Sequence, residues 1–186
     1  ACEAAVTLHP LIKDKLDQIE KIVITTHDSA IRIISKVGSL ANPADRDHCI
    51  QYMVAVPLIT GNLVAEDYED DYHAANPLID VLREKMEVVE DQYYSAKYYD
   101  PAFRSIANAI QVFFKDGSST AKVEVEYPIG HRRRRAEGIP VLIEKFKANL
   151  ATRFVPSRVA AILDLTKDQT KLEATPVHEF VDLFVI

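Results

Sequence analysis

The apolar residues of this chain change period along its length, and that change limits the folds open to it. In Lys21-Ile-Val-Ile-Thr-Thr-His27, β-branched residues alternate at the two-residue repeat of a strand. The repeat returns in Met86–Glu90, in Ser105–Lys115 through Ile106, Ile110, Val112 and Phe114, and in Lys122–Tyr127, where Val123 and Val125 alternate with Lys122, Glu124 and Glu126. Asp116-Gly117 is a turn signal between the last two segments, which predicts a hairpin with one buried face. Before Lys21 and after Gly130 the apolar spacing is helical instead. The order predicts an α+β class: an α+β unit over 19–129, with helices at 1–18 and 130–186 that belong to an all-helical body lying mostly outside this chain. Ala1-Cys-Glu-Ala-Ala-Val-Thr-Leu8 reads as a helix already in progress, so the chain is expected to be entered mid-helix, with any targeting segment upstream.

Local signals place the elements. Pro10 predicts a break that leaves two short helical pieces before Gln18. Asn42-Pro43 is a capping side chain followed by proline at the first helical position, and it predicts a helix running to about Thr60, bent in its last turn by Pro57 and stopped by Gly61. Asn76-Pro77 opens another over Leu78–Glu84, and Gln92–Asp100 reads as a tyrosine-rich loop. The four strands are expected in one mainly antiparallel sheet covered by the helix of residues 43–59, its most apolar partner.

Hydrophobic residues make up 48% of the 186 residues and charged residues 27%, enough for a packed core and too apolar for a disordered chain. The longest apolar run, Met53–Thr60, is interrupted by Pro57 and too short to cross a bilayer, so no membrane span is expected. A net charge of −6 argues against general nucleic-acid binding. The block His131-Arg-Arg-Arg-Arg135 runs against that balance. It suits RNA, an acidic partner or a polycarboxylate, and equally a solvated helix start bridged to acids such as Glu137. Cys2 and Cys49 match no metal or redox spacing, which points to a reducing intracellular compartment and no metal site.

Four segments carry a resemblance. Asn42-Pro-Ala-Asp-Arg-Asp-His-Cys-Ile-Gln-Tyr-Met-Val-Ala-Val-Pro57 resembles the strongest signature of the 2-methylcitrate dehydratases within the MmgE/PrpD family. Ser105-Ile-Ala-Asn-Ala109, Val125-Glu-Tyr-Pro-Ile-Gly-His131 with Glu137-Gly-Ile-Pro140 behind it, and Phe180-Val-Asp-Leu-Phe-Val-Ile186 agree in order. The resemblance implies the carboxy-terminal part of a two-domain enzyme: a helical amino-terminal domain, absent here, and a smaller lid-like α+β domain. It implies loss of water from 2-methylcitrate to give 2-methyl-cis-aconitate in propionate breakdown, without cofactor, on a small tricarboxylate substrate, in a possible homodimer. The arginine run resembles fungal versions, which favours the mitochondrial matrix; a bacterial origin would mean the cytoplasm. A cis-aconitate decarboxylase-like lyase of the same superfamily and a non-catalytic module built on the arginines are the alternatives.

Removing a proton beside a carboxylate while expelling hydroxide needs a base, an acid and cationic groups for the carboxylates. Histidine transfers protons near neutral pH, and the arginine fork matches a carboxylate. Asp45, His48 and Tyr52 lie three and four residues apart, which on one helix gives a single polar face, lining a cleft or forming a structural network. Arg46 projects from another side as a candidate for a substrate carboxylate. His27 ends the first strand and either faces the cleft or caps the following helix. His131 and Arg132 follow Gly130 where strands give way to helices, and there they either hold substrate at a hinge or form a plain turn. The catalytic candidates are therefore His27, His48 and Tyr52, and the substrate-binding candidates Arg46, His131 and Arg132. His9, His73 and His178 are expected at the surface, and the tyrosines of 93–99 to pack a loop.

Overall fold

The computed structural model describes residues 1–186 as two compact units, Ala1–Pro128 and Ile129–Ile186. In chain order the first unit has α1 (Cys2–Ile12), 3-10 turns over Lys13–Gln18, β1 (Ile19–Thr26), α2 (Asp28–Ile34), α3 (Pro43–Asp47), α4 (Ile50–Thr60), a 3-10 turn at Ala65–Tyr68, α5 (Asp70–Ala75), α6 (Leu78–Arg83), β2 (Met86–Glu90), α7 (Gln92–Tyr99), β3 (Asn108–Phe114) and β4 (Val123–Val125). The class is α+β, as the patterning predicts. No helix is long and apolar enough to cross a membrane.

The four strands form one sheet in the order β2-β1-β3-β4. β1 pairs antiparallel with β3, and β3 with β4, while β1 runs parallel to β2. Parallel neighbours need a crossover, and α2 to α6 supply it. Alternation puts Ile22, Ile24, Ile110 and Val112 on one face, where they join a single core with Ala4, Ala5, Leu8 and Ile12 of α1 and Ile50, Tyr52, Val54 and Leu58 of α4. On the opposite face Tyr94 of α7 packs with Ala107 and Ala109.

Three local expectations are corrected. Pro10 does not break the first helix: Leu8 and Ile12, fully buried on either side of it, hold α1 together until 3-10 turns begin at Lys13. Core burial outweighs one lost backbone donor. Residues 1–18 accordingly contribute to the core of the α+β unit, and α1 shares the cover of the sheet with α4, lying nearest β3 and β4. The helix expected over 43–60 is two helices, because Cys49 is extended (φ −125°, ψ 108°) between them. The third correction is that Gln92–Tyr99 is a helix. Asp91 caps it, accepting from the Tyr93 and Tyr94 amides at 2.8 and 3.3 Å, and Tyr94 and Tyr98 then fall one turn apart facing inward.

The second unit is helical: a 3-10 turn at Arg132–Arg134, then α8 (Arg135–Ala151), α9 (Pro156–Thr166), α10 (Gln169–Ala174) and α11 (Val177–Asp182). Leu150, Val159 and Ile162 make its small core, with Phe146, Phe154, Leu163, Leu183 and Phe184 around them. Ile139, Leu142 and Ile143, on the same face of α8 as Phe146 and Leu150, are exposed.

Two glycines separate backbone strain from steric contact. Gly38 and Gly61 have φ of +83° and +80°, left-handed conformations that cost an L side chain about 1 kcal/mol. A Cβ on Gly38 would meet nothing, whereas on Gly61, which closes α4, it would lie 2.8 Å from the His9 ring. Denaturant unfolding should therefore show Gly38→Ala less stable by about 1 kcal/mol and Gly61→Ala by about 2–3 kcal/mol.

Candidate functional site

The core face of the sheet changes character at its end. Its apolar series, Ile22 and Ile24 on β1 and Ile110 and Val112 on β3, gives way to Thr26 and Asn108, which come opposite each other if the Thr25–Ala109 register continues by one step. Beside them is a cavity of about 340 Å³ lined by Ala1, Cys2, His27, Ser29, Ala30, Ile33, Ile34, Ile50, Met53, Tyr98, Ile106 and Asn108. No lysine, arginine, aspartate or glutamate lines it.

His27 caps α2, as one reading of its sequence position has it, and its ring also lines this cavity. Its Nδ1 accepts the Ala30 amide at 3.3 Å. A nitrogen that accepts an N–H carries no proton, so in the neutral ring the proton sits on Nε2. Burial lowers the His27 pKa below its ordinary 6.5, against the opposing pull of Asp28. Tyr98 stacks on the ring at 4.2 Å with planes 10° apart. α7 is held beside α2 by the Asp28 amide donating to Ser95 Oγ at 2.9 Å and by the 2.7 Å hydrogen bond between the Ser29 and Tyr99 hydroxyls. Burial raises the Cys2 thiol pKa, which keeps it protonated and apolar in behaviour.

The other candidates of the signature segment lie elsewhere. Arg46 is 2% exposed, and its guanidinium is turned inward: Nε donates to the Tyr68 carbonyl at 2.6 Å, Nη2 bonds Asp70, and Nη1 lies 3.4 Å from His73 Nδ1. His73 Nε2 is 2.9 Å from Asp80, which also pairs with Arg83. His73, expected at the surface, is thus part of this network. Tyr52 is fully buried, donates to the Asp67 carbonyl at 2.6 Å, and burial pushes its hydroxyl pKa up to about 12. His48 is exposed beside Asp47, and Asp45 pairs with Lys36 and accepts the Ala41 amide. The break at Cys49 separates Asp45 and His48 from Tyr52, so the expected polar face does not form. The short acidic segment after Gly61 is pinned by Arg46 and Tyr52 instead, and buried donors engaged in this way serve packing.

In the second unit His131 caps the 3-10 turn, its Nδ1 accepting the Arg133 amide at 3.2 Å. Arg132 is exposed, and Arg134 bridges to Glu137 at 2.9 Å, as the solvated-helix reading of the block requires. No group of three or more His, Cys, Asp or Glu side chains is placed to hold a metal ion.

Sequence reasoning missed Asn108, Thr26 and Tyr98. Asn108 Oδ1, Thr26 Oγ1 and Ser105 Oγ are buried without a hydrogen-bond partner. The signal was present for Asn108: it is a polar residue in phase with Ile110, Val112 and Phe114 on the core face of its strand.

The sequence profile of the MmgE/PrpD C-terminal domain matches residues 1–169. A 2-methylcitrate dehydratase of Cupriavidus necator is 54% identical over 100% of this chain, and that match takes in 39% of the relative's length. The protein named 2-methylcitrate dehydratase, mitochondrial, of Yarrowia lipolytica is 51% identical over 100% of the chain and 36% of its own length. A probable 2-methylcitrate dehydratase of Saccharomyces cerevisiae is 46% identical over 99% of the chain and 36% of its own length. The chain spans well under half of these relatives.

Two measurements follow from the geometry. Arg46→Met should lower unfolding stability by about 2–4 kcal/mol, because the Tyr68 carbonyl and His73 lose their donor inside the unit. His27 should make stability depend on pH in a fixed direction. With the folded pKa lowered, its contribution is complete above 6.5 and falls as the unfolded chain takes up a proton below that value. Urea midpoints compared between about pH 7 and about pH 5 should show a smaller decline in His27→Gln than in the unaltered chain.

Proposed function

Because the chain belongs to the MmgE/PrpD family, we propose that it forms part of a hydro-lyase that removes water from 2-methylcitrate to give 2-methyl-cis-aconitate. The observation that carries this reading is identity above 50%, over the whole chain, to relatives named 2-methylcitrate dehydratases. The His27 cavity supports it as a place where this chain meets the substrate: it is a recess with apolar walls and a few polar groups, among them Asn108, whose buried oxygen lacks a partner.

In this reading the remaining catalytic groups belong to the larger part of the protein, the helical domain that the relatives' extra length accommodates. Arg132, exposed at the start of the second unit beside His131, is the chain's arginine for a substrate carboxylate, since its fork can donate two parallel bonds. Arg46 is withdrawn from that role because its donors are engaged within the first unit. A homodimer is part of the proposal. So is location in the mitochondrial matrix for a eukaryotic source, as in the relative named mitochondrial, or the cytoplasm for a bacterial one.

The test is direct. Full-length enzyme given 2-methylcitrate should produce the ultraviolet absorbance of a conjugated double bond with no carbon dioxide release. Release of carbon dioxide from cis-aconitate would place the protein among the decarboxylating lyases instead. The 186-residue chain alone should show no turnover. Arg132→Met should cost kcat/KM the equivalent of about 2–4 kcal/mol, and Arg135→Met less than about threefold. Equal small effects at both positions would assign the arginine block to the surface.

A further inference from the structure

We propose that the His27 cavity is a hydroxyl subsite, and that His27 and Asn108 hold the leaving hydroxyl of the substrate while its carboxylates are bound elsewhere. This rests on the dehydratase reading above and gives the cavity one part of that substrate.

The absence of a charged side chain in the lining decides which part fits. A carboxylate buried there would have no arginine, lysine or protonated histidine to compensate its lost hydration. His27 is held neutral by the Ala30 amide on Nδ1, with burial acting in the same direction. Burial likewise pushes the Cys2 thiol and the Ala1 amino group toward their uncharged forms, and in a longer chain Ala1 contributes an amide, equally uncharged.

A hydroxyl matches what the cavity offers. It has one proton to donate and lone pairs to accept. Asn108 uses its Nδ2 on the Ile106 carbonyl at 3.0 Å, which leaves its other atom, Oδ1, as the acceptor. Oδ1 is buried and has no partner in the protein. His27 Nε2 bears the complementary proton, and no protein group bonds it. Ile33, Ile34, Ile50 and Met53 give the recess its apolar walls, so His27 and Asn108 are among its few polar groups. With Nδ1 occupied, His27 orients the hydroxyl and does not protonate it, since losing its remaining proton would leave an imidazolate. It is therefore a positioning residue, and the acid that completes the leaving water belongs to another part of the enzyme.

The experiment compares citrate with tricarballylate, the same tricarboxylate without the hydroxyl, as competitors of 2-methylcitrate turnover by full-length enzyme. The unaltered enzyme should favour citrate. His27→Leu and Asn108→Leu should each reduce the citrate-to-tricarballylate preference by about three- to tenfold, one hydrogen bond's worth, while tricarballylate affinity stays within about twofold. His27→Gln, which keeps an N–H donor, should restore most of the preference. Parallel weakening of both ligands, at an unchanged unfolding midpoint, would mean that the cavity takes a carboxylate and would overturn the proposal. Unchanged preference in both leucine variants would overturn it too, leaving the cavity to ordered water. Should His27→Leu unfold, Asn108→Leu, which keeps the same heavy-atom count and branching, decides alone. If the unaltered enzyme does not dehydrate 2-methylcitrate, the dehydratase reading itself fails, an outcome distinct from either of these.

Discussion

The burial of one sheet face under α1 and α4 is the constraint on which the first unit depends. Ile22, Ile24, Ile110 and Val112 are fully covered, and so are the residues that cover them: Leu8, Ile12, Val54 and Leu58. Each such side chain contributes roughly 1.5–3 kcal/mol by leaving water, so a helix that delivers several of them can tolerate a proline within it. Both covering helices do, at Pro10 and at Pro57. The same apolar cover ends where Thr26 and Asn108 replace isoleucine and valine in the alternation, and the cavity occupies that place.

Polar groups in the unit divide into two kinds by whether their partners are internal. Arg46, His73, Asp80 and Arg83 are linked to one another and to nearby carbonyls, which fixes the course of the chain between α4 and β2. Low local dielectric strengthens each of those bonds, and one donor of the network, Arg83 Nε, is buried without a partner. At the end of the sheet three oxygens share that state. Asn108 Oδ1, Thr26 Oγ1 and Ser105 Oγ have lost hydration without gaining a partner, a cost that a folded protein carries where a ligand or water completes the set.

The division explains which site residues could be read from the sequence. The signature segment was recognisable, and it drew attention to Arg46, His48 and Tyr52, yet recognisability does not separate residues that touch a ligand from residues that hold the chain in place. Two helices in place of one moved His48 into solvent and turned Arg46 and Tyr52 inward. His27 was legible because a histidine at a strand end followed by Asp-Ser is a capping pattern, and here the cap and the cavity share one ring. Tyr98 was hidden because its segment was taken for a loop; the capping carboxylate of Asp91 was the overlooked signal.

The sequence by itself determined the class, the strands and the family, since the two-residue and helical repeats are properties of neighbouring positions and the segments that resemble the dehydratases are contiguous. Tertiary structure decided the parallel pairing of β1 with β2, the place of α1 in the core, and the meeting of His27 with Tyr98 and Asn108. Those relations join positions about fifty to eighty residues apart, where local spacing carries no information and the burial of shared apolar surface chooses the partner.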